Sequence, residues 1–259
     1  MAGPLGWRRH RGQQSSRLLG HALLVGEGGG GGGGGARAAW ARLLRLDRLE
    51  RVLVVVARES PLCRPGWIGI LGLDGTVTAS VPHADLQEAV AEALDGLSAE
   101  EAVRPEIVQP ALPATRSVLG PVPLFYPPPG YVPGEIPRVE RVSHDDLEAL
   151  FRTVRPDELD ESGLVEVMSP VFASRTAPGE LAAVCGYRRW PNGVAHLPVL
   201  TDPDHRRQGQ ARRAAVVAIR HATDEGLLPQ WRARPPASQA LAHSLGFIES
   251  GAQLSFEPA

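Results

Sequence analysis

The segment Thr201-Asp202-Pro203-Asp204-His205-Arg206-Arg207-Gln208-Gly209-Gln210-Ala211 joins a turn, two adjacent arginines and small residues at the start of a helical pattern. The first turn of a helix exposes four unpaired N–H groups and about half a positive charge, which suits phosphate. Gly209 carries no Cβ to hold a diphosphate away from the backbone, and Ala211 is nearly as small. Residues 205–234 hold seven Arg against Asp224 and Glu225, in a chain whose formal net charge is −2. The local physics is that of a polyanion cradle. Neither G-x-G-x-x-G nor Gly-Lys-Ser/Thr occurs within it, so the segment is not a dinucleotide fingerprint or a phosphate loop of the lysine type. A basic, glycine-containing helix start also fits an ordinary capped helix. Just upstream, His196 sits mid-strand among Val194, Ala195 and Leu197 and is the candidate general base, with a hydrogen-bonded core histidine as the plainer reading. Glu166 is a secondary candidate on the solvent side of an expected strand. Cys185 has no identifiable His partner and reads as a small buried apolar residue.

These groups need a scaffold, and the second half of the chain supplies its grammar. Ser143, with Asp146 as a capping-box-like partner, starts a helix through about Arg152. Strands are expected over Val165–Ser174, Glu180–Trp190 and Gly193–Thr201, joined by turns short enough to enforce an antiparallel meander. After Thr201 the period changes: Ala211, Ala214, Ala215, Ala218, Ile219 and Ala222 recur at helical spacing, and Gly226 ends the helix. Leu227–Ala233 is a strand, Ser238–Leu245 a short helix and Phe247–Phe256 the last strand region. A meander followed by alternating helices and strands makes a mixed α/β (α+β) layered fold.

Arg206-x-x-Gly209-x-Ala211 matches the Q/R-x-x-G-x-G/A signature of the GCN5-related N-acetyltransferase (GNAT) superfamily, with Pro203 three residues ahead of its Arg. Ser238–Leu245 followed by Gly246-Phe247 resembles that family's last helix and Gly-Phe ending. The resemblance covers about residues 138–259. It implies a mostly antiparallel sheet with a central parallel strand pair, 193–201 and 227–233, splayed apart around acetyl-CoA and flanked by helices. By position, the amides of Arg207, Gln208, Gly209, Gln210 and Ala211 would hold the diphosphate, with Arg206 adding charge. The backbone of Leu200 and Thr201 would run along the pantetheine arm. A backbone N–H on strand 193–201 would stabilise the oxyanion as an amine attacks the thioester. Gln230-Trp231-Arg232-Ala233-Arg234 is unusual for a core strand: Trp231 packs beneath the groove with Arg232 or Arg234 toward the acceptor or a CoA phosphate, or the strand is half-exposed with outward arginines. Two departures stand out: the column that often holds a tyrosine acid is Ala242, and the one often Asn is Pro235. His243, Ser244 or a water are the substitutes. The resemblance therefore implies an acetyl-CoA-dependent N-acetyltransferase acting on an amine. A catalytically silent acyl-CoA sensor on the same fold is the alternative that Ala242 and Pro235 keep open.

The chain has 259 residues, 43% of them apolar and 22% charged, enough for a packed core. All 27 basic residues are Arg, which excludes lysine Schiff-base chemistry. Nucleic acid is disfavoured as a partner by the slightly acidic balance. Cys63 and Cys185 lie too far apart in sequence for a zinc pair and no disulfide framework is present, so a cytoplasmic location and no metal are expected. No apolar run suffices to span a bilayer, and Leu18–Val25 after Arg8, Arg9 and Arg11 is short and runs into glycines, which makes a signal peptide the lesser reading. Residues 1–40, with the glycine run Gly28–Gly35, are expected to be a disordered leader. Residues 41–120 read as a smaller α/β subdomain: a helix over Ala41–Arg51, a strand over Arg51–Ala57, a hairpin Trp67–Leu73/Thr76–Val81 turning at Asp74-Gly75, and a helix over His83–Leu97. Pro121–Pro137, with seven prolines, is expected to be a linker unfit for a central strand. A second copy of the chain stays open as a partner for the 41–120 surface.

Overall fold

The computed structural model describes residues 33–46, 52–135, 137–177, 179–190 and 193–259. In chain order the elements are α1 (Gly33–Leu44), β1 (Val52–Val56), β2 (Ile68–Leu73), β3 (Thr76–Val81), α2 (Gln87–Leu94), α3 (Pro105–Val108), β4 (Thr115–Tyr126), β5 (Glu140–Val142) and α4 (Leu147–Phe151). They continue with α5 (Pro156–Ser162), β6 (Val171–Arg175), β7 (Leu181–Cys185), β8 (Arg188–Trp190), β9 (Val194–His196), β10 (Val199–Thr201), α6 (Gln210–Asp224), β11 (Leu228–Arg232), α7 (Pro236–Ser244) and β12 (Ile248–Pro258). Two sheets result, one of eight strands in the order β1-β3-β2-β12-β4-β11-β9-β8 and one of four in the order β10-β7-β6-β5. The fold is mixed α+β, and most neighbouring strands are antiparallel.

The β2–β3 hairpin turns at Asp74 and Gly75, both at positive φ, as a two-residue loop matched to strand twist requires. On one face of the large sheet, Ile68, Ile70, Val77, Ala79, Leu254 and Phe256 meet Val90 and Leu94 of α2. On the other face α1 lays Ala36, Trp40 and Ala41 against Leu71, Leu73, Leu124 and Tyr126. Helix α6 presents its alanine stripe to both sheets: Ala214, Ala215, Ala218, Ile219 and Ala222 pack with Phe172, Cys185, Leu197 and Trp231. Small side chains let this helix lie close to the strands it must bridge. Leu147 and Leu150 of α4 cover Val171, Ala173, Val184 and Leu200 on the far face of the small sheet.

Several expectations are corrected. The leader's first residues lie outside the described part, but 33–40 are helical: α1 begins inside the glycine run and is held by burial of Ala36, Ala39 and Trp40. The expected helix over Ala41–Arg51 is thus shifted toward the N-terminus, and residues 47–51 lie outside the described part. The proline-rich stretch does not begin as a linker. Pro121 and Pro123 lie within β4, which is central, between β12 and β11. Gly120 and Pro121 fall at a register shift opposite Leu254, where the ladder is interrupted and a missing N–H costs nothing. A Cβ on Gly120, whose φ is +118°, would come within 2.7 Å of the Gln253 carbonyl oxygen. The expected strand over Val165–Ser174 begins only at Val171. Residues Leu164–Glu166 form a 3-10 turn instead, and Ser169-Pro170 separates it from the strand.

Candidate active site

Strands β9 and β11 run parallel, with Val194, Ala195 and His196 opposite Leu228, Pro229 and Gln230. The Leu197 N–H still reaches the Gln230 carbonyl at 3.0 Å. Pro198 then ends the partnership, because it has no N–H to offer, and β10 leaves to pair antiparallel with β7. β10 and the last residues of β11 therefore share no hydrogen bonds, and the two strands part as a wedge. Pro198 accepts from the Gly186 N–H at 3.4 Å and the Asp202 N–H donates to Ala182 at 2.9 Å, so residues 198, 200 and 202 face β7. By the alternation of an antiparallel ladder, the backbone groups of Val199 and Thr201 face the wedge. Of the two residues expected along a pantetheine arm, Thr201 lies on that edge; Leu200 turns its backbone to Val184 and its side chain into the core of the small sheet. Val199 shares the free edge with Thr201, and Pro198 beside it was the available signal for where the strands part.

Asp202 accepts from the Asp204 N–H at 2.9 Å, which fixes a 3-10 turn over Pro203–His205. Arg207 and Gly209 then adopt left-handed conformations at φ +64° and +77° before α6 starts. The first amide of this region with a backbone acceptor is that of Arg213, bonded to the Gly209 carbonyl at 3.1 Å. Among the described residues, the N–H groups of Arg207, Gln208, Gly209, Gln210, Ala211 and Arg212 donate to no protein acceptor. Successive free amides in left-handed and helical conformations form an anion-binding concavity. The space before Gly209 is open, so glycine is required by the positive φ and not by a collision with protein. Ser174 Oγ ties the start of α6 to β6 through the Gln210 carbonyl at 3.1 Å.

The arginines are not all free to meet a ligand. Arg206 holds Glu158 of α5 through two hydrogen bonds, at 2.9 and 3.3 Å, and this contact keeps the Glu158 carboxyl below its ordinary range. Arg234 pairs with Glu161 one turn along the same helix. Helix α5 therefore spans the mouth of the wedge, latched at the cradle and at the end of β11. It escaped the sequence reading, although Pro156 at its first turn and Gly163 as a left-handed C-cap mark both ends.

His196 lies on β9 with its imidazole 5.5 Å from the Trp190 ring, and its Nδ1 is sealed from solvent without a partner. Burial, with Arg232 and Arg188 nearby, pushes its pKa down to about 3. The imidazole is neutral at physiological pH and a weak proton acceptor. Glu166 is on the 3-10 turn, exposed and paired with Arg188, not on a strand facing the wedge. Cys185 is buried and its thiol is pushed up by desolvation alone, so it is no nucleophile. Ala242 is wholly buried. His243 is exposed, edge-on to Phe125 at 5.1 Å, and Ser244 Oγ donates to Leu241 at 2.8 Å. Tyr131, a residue of the proline-rich segment, reaches the same corner and donates to the Leu245 carbonyl at 2.7 Å. Trp231 is buried beneath the α6–α7 side and donates from its indole to Ser238 Oγ at 3.0 Å. Among the described residues no helix is long and apolar enough to cross a membrane, and no cluster of three or more His, Cys, Asp or Glu could hold a metal.

Residues 176–253, which contain the wedge, the cradle and α7, match the family model described as GNAT acetyltransferase. No curated protein matches the chain. Solved structures similar to it include an acetyltransferase from the GNAT family of Colwellia psychrerythraea, 17% identical, covering 56% of this chain and 58% of that one at a TM-score of 0.45. A putative GNAT-family acetyltransferase of Novosphingobium aromaticivorans is 22% identical over 55% of this chain and 65% of its own, at a TM-score of 0.41. The ribosomal-protein-S18-alanine N-acetyltransferase of Escherichia coli is 21% identical over 46% of this chain and 89% of its own, at 0.33. The chain thus spans less than two thirds of the first two structures. Its C-terminal region is a GNAT-superfamily region.

Proposed function

We propose that this C-terminal GNAT region binds acetyl-CoA in the wedge between β10 and β11 and transfers the acetyl group to an amine. The observation that carries the reading is the coincidence of a parallel strand pair parting at Pro198 with six unpartnered amides at the start of α6. Acetyl-CoA supplies an activated acyl thioester, and the chain's own groups do the rest. The amides from Arg207 to Arg212 take the diphosphate, with charge from Arg207 and Arg213. The free edge of Val199 and Thr201 pairs with the pantetheine arm as an added strand would. Leu197 N–H is engaged and Pro198 has none, so the Val199 N–H is the first on this strand able to meet the acyl carbonyl oxygen as it gains charge. His196 accepts the amine's proton at Nε2, since its Nδ1 is sealed from solvent. With alanine at 242, a water or Tyr131 returns a proton to the departing thiolate, a modest demand for so good a leaving group. The two unpaired cysteines support a reducing, cytoplasmic setting.

Thermal unfolding with and without acetyl-CoA tests the reading. Acetyl-CoA at a hundred times its Kd stabilises by about 2.7 kcal/mol, worth several degrees in Tm. Gly209→Glu, which places an anion among the free amides, abolishes that shift. No shift in the unaltered protein at millimolar acetyl-CoA overturns the proposal, and binding without CoA release over a broad amine panel marks a sensor instead of an enzyme.

A further inference from the structure

The sheet face beneath α1 carries polar side chains that acetyl-CoA binding does not employ. Trp231 turns to the α6–α7 side, so its neighbours Gln230 and Arg232 share the opposite face. His196 stands opposite Gln230 across the parallel pair. Trp190 of β8 covers this corner, its ring 5.5 Å from the His196 imidazole and 5.3 Å from the Arg232 guanidinium carbon. Arg188, Arg206 and Arg234 each hold a carboxylate. Arg232 holds none: among the described residues it has no ion pair and no hydrogen bond, and its Nε is sealed from solvent without a partner. Burial draws its pKa down to about 10 and leaves it a cation at neutral pH. Glu161 attracts it from a distance but is paired with Arg234; a desolvated guanidinium with no carboxylate of its own is costly, and its planar fork matches a carboxylate. It lies two residues beyond the last β9–β11 pair, on the wall where the strands have parted.

We infer that Arg232, whose backbone walls the wedge and whose guanidinium lies over the Trp190 ring, binds a carboxylate of the acceptor, so the amine acetylated belongs to a carboxylate-bearing molecule such as an amino acid. This rests on the acetyl transfer proposed above and names its substrate class. The bound anion has a second effect. The charged groups facing His196 are Arg188 on β8 and Arg232 on β11; α1 contributes Trp40 against Trp190, β4 contributes the buried Tyr126 phenol, and Glu161 of α5 is engaged by Arg234. Neutralising Arg232 removes one of the two cations that suppress the imidazole, so the base strengthens when acceptor arrives.

The test uses the full chain, acetyl-CoA, and a panel of α-, β- and γ-amino acids and dipeptides beside their carboxamides, with CoA release as readout. The acids react with kcat/KM at least tenfold above the amides, and Arg232→Gln erases that difference by lowering the acids, with the amides unchanged or faster, while the acetyl-CoA Tm shift persists. Amides reacting as well as acids overturn the inference, and so does an equal loss for both in Arg232→Gln, which would put the cation on the thioester. A second readout is independent of turnover: NMR of the His196 ring at pH 7 as acetate, fully ionised there, is titrated in. Acetate shifts the ring resonances saturably in the unaltered protein and leaves Arg232→Gln unmoved; no acetate effect in the unaltered protein overturns the inference. A failed acetyl-CoA shift with a positive acetate titration sinks the transfer reading alone.

Discussion

The Trp40 indole N–H donates to the Tyr126 hydroxyl at 2.6 Å, across 86 residues of chain, and pins α1 to the central strand β4. The same oxygen accepts from the Gln230 side chain, so one phenol joins the N-terminal helix, β4 and the strand that walls the wedge. Tyr126→Phe keeps the ring and strands two buried donors, each costing about 1–3 kcal/mol. Tm falls by roughly 5–10 °C in thermal unfolding, while the acetyl-CoA shift, which depends on α6, persists. An unchanged Tm removes Tyr126 as the tie.

Glu158 competes with any phosphate for Arg206. Glu158→Gln frees that guanidinium, and the Kd for acetyl-CoA measured by calorimetry tightens several-fold at low salt and less at high salt. The pair is partly exposed, so stability changes by less than about 1 kcal/mol. Weaker binding in the variant would show that α5 supports the ligand and does not compete with it.

His196 sets an acid limit. Its folded pKa is lowered, so the neutral form is favoured by folding; stability is complete above the ordinary value of 6.5 and is lost as pH falls from there toward about 3. Asp146 and Glu158 are also lowered, but their losses begin only near 3.8 and 4.5. The interval from pH 6.5 to 5 belongs to the imidazole. Tm of the unaltered protein declines across it, and His196→Gln flattens the decline. Parallel curves for the two proteins would show that the imidazole does not titrate as described.

Sequence made the local elements legible where period and punctuation agreed. Asp74-Gly75 announced its hairpin, the Ala211–Ala222 spacing announced α6, and Ser143 with Asp146 formed reciprocal bonds, Ser143 N–H to the carboxylate at 2.9 Å and Asp146 N–H to the hydroxyl at 3.3 Å, although these close a turn and the helix itself starts later than expected, at Leu147. What stayed hidden depends on tertiary partners. Prolines in β4 read as a breaker because the bulge that accommodates them is formed with β12, 130 or so positions away along the register. Glycines in α1 read as disorder because the burial of Ala36 and Trp40 that orders them comes from β2 and β4. At the site, the cradle was visible as composition, but the solitude of Arg232 appears only when its neighbours' carboxylates are seen to be spoken for.

Strand β4 has a consequence for how the molecule is made. Its hydrogen-bonding neighbours, Leu228–Arg232 and Ile248–Pro258, are made after every other described strand. For more than a hundred codons the nascent chain carries Leu124, Phe125 and Tyr126, all fully interior in the fold, with neither flanking strand yet synthesised. Closure of the large sheet therefore waits on distant segments and has high contact order. Early release or a C-terminal deletion reaching β12 leaves an aggregation-prone edge in the amino-terminal half, not a harmlessly shortened enzyme.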